Sequence, residues 1–208
     1  MVFKKNIIAL KAMLKLSNTA FIFLNAILLT LLNFNLFLFI AKNLNDLFLT
    51  FMLVFCYFFA VYIILSFIFI KYLTKIFSIL FIISAIFCVY FMSSYGILID
   101  SDMILNVMQT DTREASELFN STLVFLSVVS IVWCIFVIKL EITKDSLSRR
   151  ILTSFFSLVL LLVIFLPFTR TYIPFFRNYN IVRMYNTPFY QFYAIYRYYQ
   201  RFIAPPRS

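Results

Sequence analysis

The sequence predicts an all-α polytopic membrane protein, with five transmembrane helices followed by an amphipathic interfacial tail. Three observations predict it. Of its 208 residues, 64% are hydrophobic and 12% charged, with a mean hydropathy of +0.99; an average soluble domain carries about 25% charged residues. Charge is absent from the windows 16–41, 47–70, 76–99, 118–138 and 151–169, and about 20 apolar residues suffice for a helix to cross a hydrocarbon core of about 30 Å. None of these runs shows the two-residue alternation of a barrel strand, and in lipid the backbone must satisfy itself internally, so each is expected to be a helix.

The N-terminal segment carries Lys4, Lys5, Lys11 and Lys15. It resembles the start of a secretion signal, but the apolar run is too long and no small-residue cleavage site follows, so it reads as an uncleaved anchor. The second connection adds Lys71 and Lys75, and the fourth adds Lys139, Lys144, Arg149 and Arg150. By the positive-inside rule this side is the cytoplasm. The opposite connections hold only Lys42 and Arg113. Five spans from a cytoplasmic N-terminus leave the C-terminal tail outside, although the tail has six arginines and no Asp or Glu. An anionic surface on the outer side would account for that charge.

Residues 1–169 are thus read as a five-helix domain, and 170–208 as a linker with an interfacial helix. Pro174 to Asn186 reads as mostly extended. Thr187 is a candidate cap and Pro188 suits a first helical position. Phe189, Phe192, Tyr193, Tyr196 and Tyr199 then recur at helical spacing beside Arg197 and Arg201. Such a helix would lie among headgroups with its rings down; Arg183, Arg197 and Arg201 are candidate phosphate contacts. An aromatic belt that merely anchors the chain is the other reading. Pro205 and Pro206 are expected to end the helix.

The third connection, 97–119, is where chemistry is most concentrated. It holds five of the eight acidic residues: Asp100, Asp102, Asp111, Glu114 and Glu117. Asp102–Gln109 predicts a short amphipathic helix capped by Ser101 or Asp102. Asp111 and Glu114 have capping-box spacing, which would start a helix running into the fourth span. Asn106, Thr110 and Glu114 stand four apart, and on a continuous helix they would share a face able to hold a headgroup ammonium. The plainer reading has Glu114 capping, Thr110 in a turn and Asn106 solvated. In the first span, Asn25, Asn33 and Asn35 are expected to bond between helices.

Composition excludes several classes. The single glycine, Gly96, leaves no dinucleotide fingerprint or phosphate-cradling loop. There is no histidine, and Cys56, Cys88 and Cys134 stand apart in three apolar runs as core or lipid-facing fillers. Uncharged spans without glycine breaks or repeat symmetry argue against a channel or transporter. No nucleic-acid partner is expected of the net charge of +10.

The segment Tyr95-Gly-Ile-Leu-Ile-Asp100-Ser-Asp-Met-Ile-Leu-Asn106-Val-Met-Gln-Thr110-Asp-Thr-Arg-Glu114-Ala resembles the loop after the third transmembrane helix of the bacterial lipid A phosphoethanolamine transferases. Phe175-Phe-Arg-Asn-Tyr-Asn-Ile-Val-Arg-Met-Tyr185 is similar to their segment after the fifth helix. The resemblance covers essentially the whole chain. It implies a bacterial inner-membrane location, with N-terminus cytoplasmic and C-terminus periplasmic, and an anchor for a sulfatase-like domain. That domain moves phosphoethanolamine from phosphatidylethanolamine to lipid A, lowering affinity for polymyxin-type peptides. It also implies that Asn106, Thr110 and Glu114 contact the donor headgroup. The family's zinc ligands and threonine nucleophile belong to a domain expected to begin after about Arg207. No catalytic residue and no cofactor are therefore expected in this chain, and it should be inactive alone. Expected partners are phosphatidylethanolamine, anionic lipid and either a separate catalytic domain or a full-length relative. Where the family tends to read Asn-Pro-x-x-Pro, this chain reads Thr187-Pro188-Phe-Tyr-Gln191. The alternative reading is a standalone, non-enzymatic membrane protein that keeps the headgroup-binding surface.

Overall fold

The computed structural model describes residues 15–70, 73–111 and 120–204. Four helices are long and apolar enough to cross a membrane, or five spans when a bent pair is counted as one. That pair is α1 (Asn18–Leu32) and α2 (Phe34–Leu44), which meet at 53°. The spans that follow are α3 (Leu47–Ile68), α4 (Thr74–Tyr95) and α6 (Ser121–Lys139). The last, α7 (Leu147–Phe165), runs through a 3₁₀ turn at Leu166–Phe168 into α8 (Thr169–Asn178). Between α4 and α6 lies the short α5 (Ser101–Gln109), and a second 3₁₀ turn, Asn180–Tyr185, leads to α9 (Phe189–Tyr198).

The first span is expected to be one helix; the structure breaks it at Asn33. This residue leaves helical geometry at ψ 25°. Its Nδ2 donates to Leu29 O (2.7 Å) and to Thr187 O (2.7 Å), and its Oδ1 accepts from Thr187 N (2.8 Å). The amide thus replaces a helical turn with a bond to the tail. Asn25 accepts from Ser78 Oγ at 2.6 Å, and Asn35 donates to Ser93 Oγ at 2.8 Å, so all three asparagines join separate segments as expected.

A small parallel pairing, absent from the all-α reading, closes one end of the bundle. β1 (Lys15–Ser17) lies beside β2 (Glu141–Thr143), with Leu16 opposite Ile142. Asp145 sits next to it and accepts from Thr19 N at 2.6 Å and from the Thr19 hydroxyl. A carboxylate at the first turn of α1 meets the positive end of that helix. Burial raises the Asp145 pKa, but the two Thr19 bonds and the Arg149 and Arg150 charges outweigh it and hold the carboxyl below its ordinary 3.8. Arg150 spans to the end of α3 by donating to Ser66 O. The N-terminal strand and the fourth connection therefore share one end, as their common basic charge predicts.

The core has two parts. One gathers Phe21, Leu29, Leu65, Phe81 and Ala85 from α1, α3 and α4; the other gathers Leu36, Leu53, Tyr172, Phe175 and Val182. The second part overturns the extended linker. Phe165, Phe168, Tyr172, Phe175 and Tyr179 recur at three and four residues, and Tyr172 is fully buried with its hydroxyl donated to Leu49 O at 3.0 Å. That stripe keeps the chain helical to Asn178 despite Pro174. The whole helical run from Leu147 to Asn178 has 32 residues, roughly 48 Å at 1.5 Å each, longer than the hydrocarbon core.

Two further expectations are corrected. Thr187 does not cap α9: it is buried, its hydroxyl donates to Asn33 Oδ1 (3.3 Å), and the bond to Pro188 is cis. Nor do all the rings of α9 face outward, since Phe189 and Phe192 pack on Phe81 with centroids 5.7 and 5.6 Å away. Tyr193, Tyr196 and Tyr199 are exposed. The helix is thus seated on the bundle and leaves only one aromatic face free.

Candidate functional site

Gly96 ends α4 at φ +66°, a left-handed conformation that suits glycine, and turns the chain into the third connection. Asp100, rather than Ser101 or Asp102, caps α5, its Oδ1 accepting from Asp102 N (3.1 Å) and Met103 N (2.9 Å). Asp102 then stands in the first turn, where negative charge is favoured, and accepts from Arg201 Nη1 at 2.7 Å. α5 packs against α9. The third connection and the tail therefore lie at the same end of the bundle, opposite the β1–β2 pairing.

Asn106 is exposed on α5, and its side-chain amide has no hydrogen bond among the described residues. Thr110 ends the helix in extended geometry and donates its hydroxyl to Asn106 O at 2.9 Å. The Thr110 oxygen can still accept. Glu114 falls outside the described residues, and with it the Asp111–Glu114 pairing of the box. α6 starts afresh: extended Asn120 caps it by accepting from Leu123 N at 2.9 Å, so no helix runs unbroken from Asp111 into the fourth span. Asn106 and Thr110 are together; Arg183 makes no described contact with either.

The arginines of the tail separate by environment. Arg201 is engaged with Asp102 and stacks over Phe202 at 5.1 Å. Arg197 is exposed on α9 and free of ion pairs among the described residues. Arg183 lies at a cleft that sequence reading did not foresee. This cleft, about 450 Å³, is bounded by α2, α3, α7 and the second 3₁₀ turn, with Leu36, Leu53 and Leu161 in its walls. Tyr57 donates to Asn186 Oδ1 at 2.8 Å along its lining. Among the described residues no cluster of His, Cys, Asp or Glu could hold a metal ion, so zinc does not fit the residues here.

A bundle of membrane-spanning helices with a polar shelf and a tail helix folded onto the same end defines a multi-pass membrane domain. The phosphoethanolamine transferase EptA/EptB family model matches residues 57–202, and the chain belongs to that family, as its membrane domain. The fold is similar to the integral membrane lipooligosaccharide phosphoethanolamine transferase A (EptA) from Neisseria meningitidis, with a TM-score of 0.79 at 18% identity. The match covers 92% of this chain and 38% of that one, so the chain spans well under half of its structural relative. No curated protein matches.

Proposed function

We propose that this domain gathers phosphatidylethanolamine at the α5 shelf for transfer of its phosphoethanolamine group to lipid A in the periplasmic leaflet of the bacterial inner membrane, and so serves resistance to polymyxin-type peptides. The observation that carries the reading is the placement of Asn106 and Thr110 one turn apart on an exposed helix end, held to the tail through Asp102 and Arg201. Asn106 and Thr110 offer hydrogen-bond acceptors to a headgroup ammonium, and Glu114 supplies the charge that matches it. The chain has no histidine and no acidic residue after Asp145, so turnover and the zinc associated with it require residues outside this domain.

The test uses a full-length transferase that carries this membrane domain, assayed with labelled phosphatidylethanolamine. Asn106→Ala, Thr110→Val and Glu114→Gln are each expected to raise the donor KM, and Glu114→Gln most. Wild-type KM and kcat in all three would refute the assignment. A reporter joined after Ser208 should be active in the periplasm; cytoplasmic activity would invert the proposed orientation.

A further inference from the structure

The cleft beside Arg183 offers a second lipid site, distinct from the α5 shelf and independent of the donor assignment. Its lining is mostly apolar, with polar groups at Tyr57, Tyr179, Asn180, Arg183 and Asn186. Asn180 and Arg183 are the exposed members, and the remainder, including Leu53, Cys56 and Ala60, is buried or half-buried. From Leu53 to Ala60 the α3 wall runs two helical turns, roughly 10 Å. A largely apolar cleft with an exposed cation at its border matches one chemistry: an acyl chain inside and a phosphate outside.

The charge selects further. The Arg183 side chain makes no hydrogen bond or ion pair among the described residues, so its guanidinium is available for a bidentate phosphate contact. Among the described residues no Asp or Glu lines the cleft, so it offers no negative charge to match the ammonium of a zwitterionic headgroup. The Asn180 and Asn186 amides can serve hydroxyls or ester oxygens instead. About 450 Å³ falls within the range of about 300–1,000 Å³ typical of ligand pockets. We propose that the Arg183 cleft binds an anionic glycerophospholipid, one acyl chain lying along α3 and its phosphate on Arg183, in preference to phosphatidylethanolamine.

Native mass spectrometry of the purified chain, titrated with phosphatidylglycerol and separately with phosphatidylethanolamine, tests this. The wild type is expected to hold phosphatidylglycerol several-fold more tightly. Arg183→Gln should weaken that binding about tenfold, the worth of one charge-assisted bond, and abolish the preference. Ala60→Phe should fill the slot and lower binding of both lipids. Equal affinity of the wild type for the two lipids, or wild-type phosphatidylglycerol affinity in Arg183→Gln, would overturn the proposal. Should Ala60→Phe not fold, phosphatidylglycerol with a photoreactive acyl chain decides the matter on the wild type. Labelling within Leu36–Ile40 or Leu53–Ala60 supports the site, and labelling confined to α6 refutes it.

Discussion

Replacing Asn33 with alanine should release the tail from the bundle. The side chain is 1% exposed and makes three bonds to Thr187, itself 1% exposed. Alanine leaves the Thr187 N–H and C=O buried without partners, at about 1–3 kcal/mol each when no water enters. Membrane-embedded side-chain bonds average only about 0.6 kcal/mol, because the opened state finds other partners. Weighing the two, tail docking should lose about 3 kcal/mol, which is roughly a 150-fold rise in the open population. Trypsin cleavage after Arg197, in a chain held in lipid nanodiscs, reads that population directly when reclosing is fast. Asn35→Ala is the control, since its bond to Ser93 is exposed and water can replace it. A cleavage rate in Asn33→Ala within about threefold of wild type would show that aromatic packing alone holds the tail, and the hydrogen-bond reasoning would fail.

Other substitutions probe other joints. Gly96→Ala meets no heavy atom within 4 Å of the added Cβ, so its cost is the left-handed backbone alone, about 1 kcal/mol in thermal unfolding; no loss would contradict φ +66°. Tyr172→Phe should cost about 1 kcal/mol through the bond to Leu49 O, and an unchanged melting temperature would count against that bond. Asp145 has a folded pKa below 3.8, so its contribution is present above 3.8 and is lost as pH falls through the folded value. The stability gap between wild type and Asp145→Asn should stay constant near neutral pH and close below 3.8; a gap that widens on acidification would reverse the sign.

The span count and the shared ends of the connections were legible because a charge inside hydrocarbon is costly, so gaps between charges mark lengths well. Asn33, Asn25 and Asn35 were read correctly as bonding groups for the same reason. The bend at Asn33 was not legible, since it depends on Thr187, a partner 154 residues away. The helical tail was missed differently. Pro174 suggested an extended linker, while the aromatic spacing from Phe165 to Tyr179 already followed a helix. The proline outweighed a periodic signal that packing against α2 and α3 makes decisive. At the candidate site, sequence placed Asn106 and Thr110 together. It could not show that Arg201 is committed to Asp102 or that Arg183 borders a cleft, because both depend on how the tail returns to the bundle.

The strand at Lys15–Ser17 sets an order of assembly. Its partner arrives 126 residues later in the chain, which at about 5–20 residues per second is a wait of roughly 6–25 s during synthesis. For that interval the β1–β2 pairing cannot form, and α1 is held only by its packing on α3 and α4 and by the Asn25–Ser78 bond. Completion of the fourth connection is the moment at which that end of the bundle can close, and the Asn33–Thr187 joint follows only once the tail has been made.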